Sequence, residues 1–144
     1  VVKDTSNFIW IQKQIQKGHL NIIAYEIFDS ISENNFNTKI LNIRDSIGKL
    51  YIPGRISGSY MITERAYQPC FYKVELDGKK GYLTKGTWEV KNAFMAGPFL
   101  NYTIEDKANN RYIVLEGFTF APSAPKRDHM FELEAILKSA KIGF

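Results

Sequence analysis

Residues 71–90 read FYKVELDGKKGYLTKGTWEV, and this stretch decides the fold class. Asp77-Gly78 separates two runs, 71–76 and 80–91, that are rich in aromatic and β-branched residues. Both residues of this dipeptide tolerate the positive φ angles that a two-residue hairpin turn requires. The stretch therefore predicts two antiparallel strands joined by a tight turn.

Further strands are predicted on both sides of this hairpin. They cover 8–18, 21–27, 59–66, 99–105 and 111–120. Consecutive strands joined by short turns form antiparallel sheets, whereas parallel sheets need alternating strands and helices. We therefore expect one antiparallel sheet of about six or seven strands.

Two segments show helical periodicity instead of strand alternation. Apolar residues recur every three or four positions at Phe36, Ile40, Ile43, Ile47 and Leu50, and again at Met130, Leu133, Leu137 and Ala140. Ser30 and Glu33 fit a capping box, and Pro53 requires the first helix to end by Ile52. The pattern predicts helices near 30–52 and 125–142.

The two helices and the sheet together define an α+β fold. Since consecutive strands lie between the helices in sequence, we expect both helices to pack on one face of the sheet. Their apolar stripes should then be buried, with Ile40, Ile43, Ile47, Leu133 and Leu137 in the core. Neither a linker nor an internal repeat divides the sequence, so residues 1–144 form a single domain.

Composition excludes several classes of protein. Hydrophobic residues make up 44% and aromatic residues 14% of the 144 positions, which excludes a disordered chain. The one cysteine, Cys70, excludes a disulfide framework within the chain and is expected to be a small buried residue. The net charge of +4 is spread along the sequence and not concentrated in one run, so no nucleic-acid partner is predicted. No apolar run reaches the length of a membrane span.

The sequence shows no recognisable catalytic or metal-binding motif. It contains neither H-E-x-x-H nor C-x-x-C, and Gly54 to Gly58 matches neither a nucleophile elbow nor a phosphate-binding loop. His19, in a predicted turn, and His129, in the second helix, are interpreted as surface histidines. We therefore predict no catalytic residue, no metal site and no cofactor.

Glu116 is the most unusual charge in the sequence. It alternates with Tyr112, Val114 and Phe118 on one face of an apolar strand, where a carboxylate needs a partner. One interpretation is a salt bridge to a Lys or Arg on the neighbouring strand. The other is a polar anchor inside an aromatic cleft.

Two segments rich in Gly and Pro, 53–60 and 94–98, are candidate binding loops. Loops positioned by a sheet often carry binding residues, and Tyr60, Trp88 and Met95 would add apolar area beside them. Arg55 would be the exposed charge, able to hold a carboxylate or phosphate. With Glu116, these four residues are the predicted ligand-binding set. The alternative is that Tyr60 and Trp88 fill the core while the Gly and Pro residues turn the chain.

Three segments together resemble a known family. They are 52–64, beginning IPG and ending GSYMITE, then 88–99, beginning WEVKN and ending FMAGPF, and finally 116–136, containing EGF, AP, KR and LEAI. The chain resembles the domain-of-unknown-function family 4837, a bacterial family, from about Phe8 to Ile142. Family members are longer and begin with a lipoprotein signal, so the resemblance implies that this chain is the C-terminal part of a longer lipoprotein. The start at Val1, without Met, agrees with a processed protein or a fragment.

The resemblance implies a location but no activity. It implies the periplasmic side of the cell envelope, with membrane attachment only through a lipid anchor on the precursor. The first functional hypothesis is therefore a non-catalytic envelope domain that binds a small ligand or a protein partner. The protein partner would be the missing N-terminal half of the precursor or another envelope protein. The alternative is a hydrolase or an enzyme accessory that uses a carboxylate site near Glu64 and Glu116.

Overall fold

The computed structural model describes residues 1–90, 95–121 and 126–142. Its strands are β1 (Lys3–Thr5), β2 (Phe8–Ile15), β3 (Gly18–Ile27), β4 (Met61–Thr63), β5 (Cys70–Leu76), β6 (Lys79–Val90), β7 (Met95–Asp106) and β8 (Arg111–Phe120). Its helices are α1 (Phe36–Tyr51) and α2 (Arg127–Lys138), and a short 3₁₀ turn covers Lys107–Asn109.

The eight strands form one antiparallel sheet. Their order is β1-β2-β3-β8-β7-β6-β4, and β5 also pairs with β6, next to β4. The sheet curls into a half-barrel. The α+β class and the antiparallel sheet are confirmed. The strand beyond the expected seven is β1, a polar segment of three residues that shows no strand pattern in the sequence.

The hairpin signals in the sequence are confirmed. Asp77 and Gly78 have φ angles of 51° and 75°, as a two-residue hairpin turn requires. The turn between β2 and β3 uses a positive φ of 65° at Lys17. These turns set the register in which β5 pairs with β6 and β2 pairs with β3.

Helix α1 begins later than predicted, because residues 33–35 form a separate turn before it. The Ser32 hydroxyl accepts a hydrogen bond from the Asn34 amide, and the Ser32 carbonyl accepts one from the Asn35 amide. Asn35 is the N-cap residue and makes no side-chain capping bond. The capping box at Ser30 and Glu33 is therefore wrong, whereas the predicted end of the helix before Pro53 is confirmed.

The two helices lie on opposite faces of the sheet, so the predicted packing on one face is wrong. Arg44 of α1 bonds to Glu116 of β8, while Leu133 of α2 packs against the next residue, Gly117. Successive strand residues point to opposite faces. We call these the α1 face and the α2 face.

The sheet has an apolar cluster on each face. On the α1 face the cluster includes Phe8, Ile23, Trp88, Phe99 and Phe118. On the α2 face it includes Leu83, Leu100, Tyr102, Ile104 and Leu137. Central strands buried on both sides read as continuous apolar runs, which is why sequence alternation did not reveal that each face carries a helix.

Burial of the helical stripes is confirmed at three positions and partial at two. Ile40, Leu133 and Leu137 are buried. Ile43 and Ile47 are half-buried and pack against the α1-face cluster. Cys70 is exposed, contrary to prediction, since it opens β5, which pairs with β6 alone.

Candidate functional site

A cleft of about 230 Å³ opens on the α1 face, where the loop after α1 meets β2, β3, β4, β6, β7 and β8. Its apolar lining consists of Trp10, Ile52, Pro53, Met61, Trp88, Val90, Met95 and Phe118. Its remaining lining residues are Gln12, His19, Gly54 and Arg55. We call it the Trp88 cleft.

The aromatic floor of the Trp88 cleft is held rigidly. Trp88 is only 2% exposed, and its indole N–H donates a hydrogen bond of 3.1 Å to the Thr119 carbonyl. Its ring meets that of Phe118 edge to face, with the centroids 5.8 Å apart. Gly97 permits this packing, because a Cβ there would lie 2.1 Å from the Thr119 carbonyl oxygen and 2.9 Å from Trp88 Nε1.

The loop after α1 brings Arg55 to the cleft. Pro53 and Tyr60 form an isolated β-bridge, and the Gly54 amide donates to the Ser59 carbonyl at 2.9 Å. These contacts close the segment into a tight turn with Arg55 in its exposed part. The guanidinium is therefore presented at the rim of the cleft by a short, internally bonded loop.

One amide, that of Asn21, organises the polar side of the cleft. Its Oδ1 accepts hydrogen bonds from Trp10 Nε1 at 2.9 Å and from Gln12 Nε2 at 3.0 Å. Its Nδ2 lies 2.7 Å from His19 Nδ1. Asn21 is itself buried, so this network is a fixed part of the wall.

The electrostatic environment disfavours a proton on His19. Partial burial lowers the pKa of the imidazole below 6.5, and the positive charge of Arg55 lowers it further. His19 is therefore a mainly neutral ring at pH 7. His19 lies in strand β3 and not in the predicted turn, and its half-buried side chain packs against the Phe120 ring, with centroids 5.4 Å apart.

Three of the five predicted ligand-binding residues come together. Arg55, Trp88 and Met95 all line the Trp88 cleft, whereas Tyr60 and Glu116 do not. Residues 95–98 belong to strand β7 and not to a loop. Phe94, the remaining residue of that predicted loop, lies outside the described residues.

Glu116 lies beneath the surface in a buried polar network. Its two carboxylate oxygens accept hydrogen bonds from Arg44 Nε at 2.8 Å and Arg44 Nη2 at 3.0 Å, and Asn101 also donates to it. Both members of the pair are buried, and the guanidinium stacks 3.7 Å from the Phe99 ring centroid. The expected salt bridge therefore exists, but its partner comes from helix α1 and not from the neighbouring strand.

The second carboxylate of the enzyme hypothesis is also engaged. A Glu64 oxygen accepts a hydrogen bond of 2.7 Å from the Ala66 amide. Because Glu116 is fully buried with both oxygens bonded, it cannot meet a substrate at the surface together with Glu64. Within residues 1–90, 95–121 and 126–142, no group of His, Cys, Asp and Glu is arranged to hold a metal ion.

Sequence reasoning missed the polar wall. Trp10 and Gln12 are two residues apart on β2, and His19 and Asn21 are two residues apart on β3. Residues with this spacing share a face of a strand, so all four side chains lie on the same face of the sheet. The signal was the presence of Gln12, His19 and Asn21 on the otherwise apolar sides of these two strands. These residues could be recognised as one hydrogen-bonded group only from the strand register, which places Gln12 opposite Asn21.

Three larger surface grooves among the described residues differ from this cleft in their charge. One, of about 650 Å³, includes Lys73 and Glu75, and a second, of about 620 Å³, includes Asp29 and Arg111. The third, of about 390 Å³, includes Glu134 and Lys138. Charges of both signs lie close together in each. They offer a ligand neither a closed apolar surface nor one sign of charge.

The fold and the cleft define a small α+β protein with a curled antiparallel sheet, one helix on each face and an aromatic cleft on the α1 face. The chain belongs to the family described as "Domain of unknown function (DUF4837)", which it matches over residues 1–139. None of the curated proteins matches the chain.

The fold also occurs in a solved structure. The chain is similar to PA94 of Pseudomonas aeruginosa, a protein of unknown function described as a suggested regulator, with a TM-score of 0.59 and 10% identity. The likeness covers 99% of this chain and 86% of PA94. At that identity the likeness shows a shared fold alone.

Proposed function

We propose that this protein is a binding module that holds a small, mainly apolar ligand in the Trp88 cleft. The observation that carries the proposal is the lining itself: a rigid aromatic floor, an amide-organised polar wall and one exposed guanidinium. Small-molecule sites combine a mostly apolar surface with a few fixed polar groups in this way.

The volume of the cleft limits the size of its ligand. An engineered cavity of about 150 Å³ binds benzene, and drug-sized ligands occupy about 300–1,000 Å³. At about 230 Å³ the Trp88 cleft lies between these values. The proposed ligand is therefore larger than benzene and smaller than a typical drug. An eight-carbon chain is an example of this size.

The chemistry of the lining favours binding over catalysis. The described lining residues include no Ser, Thr, Cys, Lys, Asp or Glu, so they supply neither a nucleophile nor a carboxylate pair. Among the lining residues, His19 has the side-chain pKa closest to neutral pH, and its Nδ1 already forms a hydrogen bond with Asn21. No observation favours the hydrolase alternative over a binding module.

Intrinsic fluorescence tests the proposal directly, because both tryptophans of the chain, Trp10 and Trp88, line the cleft. The probes are 1-octanol and octanoate, which do not absorb where tryptophan does. Saturable quenching or a spectral shift with either probe is expected. Failure of both probes to change the emission at millimolar concentration would contradict the proposal.

A matched pair of variants locates the binding. Met95→Phe narrows the Trp88 cleft, whereas Met130→Phe makes the same change on the α2 face, where Met130 packs against the other cluster. We expect weaker probe binding only in the first variant. Equal effects of the two substitutions would place the probes elsewhere.

We also propose that the protein acts in the cell envelope, on the periplasmic side. The support is the resemblance to lipoproteins alone, which also suggests the N-terminal part of a longer precursor as a partner. No helix among the described residues is long and apolar enough to cross a membrane. Fractionation of cells expressing the full precursor, with labelled palmitate, tests the location, and recovery of unlabelled protein in the cytosol would contradict it.

A further inference from the structure

We propose that the ligand of the Trp88 cleft is an amphipathic anion whose apolar body lies on Trp88 and whose carboxylate lies between Arg55 and His19. This inference rests on the proposed function and adds the charge and orientation of the ligand. It follows from three features of the cleft: its unbalanced charge, the hydrogen bonds that orient His19, and its small volume.

The charge of the cleft is positive and unbalanced. Arg55 is a lining residue, and the described lining residues include no Asp or Glu. Among the described residues, no hydrogen bond or ion pair engages the Arg55 guanidinium. The stretches 91–94, 122–125 and 143–144 contain no Asp or Glu either. A planar guanidinium whose donors meet no acceptor among the described residues matches a carboxylate, which it can hold through two parallel hydrogen bonds.

The hydrogen-bond network assigns the tautomer of His19. The indole N–H of Trp10 can only donate, so the Asn21 atom that it meets must be the oxygen. The nitrogen of the same amide therefore donates to His19 Nδ1, which must be an acceptor without a proton. In the neutral ring the proton is then on Nε2, where it is a second donor for an anion beside Arg55.

The groups that face His19 come from four parts of the fold. They are Asn21 on its own strand, Gln12 on β2, the Phe120 ring on β8 and Arg55 in the loop after α1. Arg55 is the charged one among them. A bound carboxylate would therefore offset the charge that disfavours protonation of His19.

Paired probes separate charge from apolar contact. Octanoate and 1-octanol share a chain of eight carbons and differ in the carboxylate, and both are titrated against the full chain at pH 7.5. We expect octanoate to bind about tenfold more tightly, as a charge-assisted hydrogen bond allows. Arg55→Gln should remove this preference, because it should weaken the binding of octanoate more than that of 1-octanol.

Arg65→Gln is the matched control. Arg65 is also an exposed arginine, but it bonds to Asp45 and lies outside the cleft lining, so this variant should keep the preference for octanoate. Equal affinities for the two probes in the wild-type protein would overturn the inference and leave the proposed function standing. A preference that survives Arg55→Gln would also overturn it. Absence of binding by both probes would overturn the proposed function itself.

The ring resonances of the two histidines give an independent measurement by NMR. Octanoate should raise the pKa of His19, since the carboxylate favours the imidazolium, whereas 1-octanol should not. His129 on α2 is the internal control, and its ring resonances should be unaffected by either probe. An unchanged His19 titration with octanoate bound would place the carboxylate away from this ring and contradict the inference.

Discussion

The two faces of the sheet are packed with different chemistry. The α1 face contains the ion pair of Arg44 and Glu116, with Thr63 and Asn101 bonded to it. The α2 face is packed mainly with aliphatic side chains, among them Leu83, Leu100 and Leu137. The cleft lies on the α1 face, beside the charged network.

The buried network of the α1 face is in contact with the cleft through Met61. Met61 lines the cleft, and its sulfur lies 3.9 Å from Arg44 Nη2, so a single side chain separates the two. Apolar packing alone would stabilise this face as well as an ion pair does. The reason is that the attraction between two buried charges rarely exceeds the free energy needed to remove both from water. The directional bonds of the network instead orient α1 relative to β8, and the loop that carries Arg55 begins where α1 ends.

Removing one member of the ion pair should have the largest effect on stability. Glu116→Ala leaves a buried guanidinium without its carboxylate, which costs about 3–5 kcal/mol. Urea unfolding measures this free energy. The double variant Arg44→Met/Glu116→Leu should recover most of the loss, and a double variant as unstable as Glu116→Ala would show that the pair itself is required.

Truncation on the α2 face should cost slightly less. Leu133→Ala removes a buried aliphatic side chain without leaving a charge unpaired, and the expected loss is about 2–5 kcal/mol. Ile136→Ala, on the exposed side of the same helix, should change stability by less than about 0.5 kcal/mol. Similar urea midpoints for the two variants would mean that the buried stripe of α2 is misplaced.

A smaller effect is expected at Gly117, where α2 packs against the sheet. A Cβ at residue 117 would lie 3.2 Å from Leu133 Cβ, so Gly117→Ala should cost about 1 kcal/mol through overpacking. Because the crowding atom is Leu133 Cβ, which alanine keeps, the cost should shrink in the background of Leu133→Gly and not in that of Leu133→Ala. Fully additive losses in a double-mutant cycle would contradict this contact.

The smallest expected effect is the contribution of His19, on the α1 face, to the pH dependence of the free energy of unfolding. The pKa of His19 is lower in the folded protein than its ordinary value of 6.5, so below that pH the unfolded state binds more protons. This contribution to stability is fully present above pH 6.5 and is lost as the pH falls toward the folded pKa. His19→Gln should therefore lose less stability between pH 7.5 and 5.5 than the wild type, by chemical denaturation. Parallel profiles would contradict the lowered pKa.

Local signals in the sequence determined the elements and their order. Asp77-Gly78 specified a hairpin because few dipeptides tolerate two positive φ angles, and Pro53 ended α1 because its ring disfavours a helical residue before it. The apolar stripes of both helices were visible for the same reason, since periodicity is a property of neighbouring residues.

The tertiary structure alone decided which groups meet. The sequence predicted that the Glu116 carboxylate needs a partner. That partner, Arg44, is 72 residues away in the sequence and lies on a helix, in the middle of an otherwise apolar stripe. The polar wall of the cleft required the register that sets Gln12 opposite Asn21. The choice of face for each helix depended on packing against strands that are apolar on both sides. Such contacts depend on the closure of long loops, and a local pattern contains no information about them.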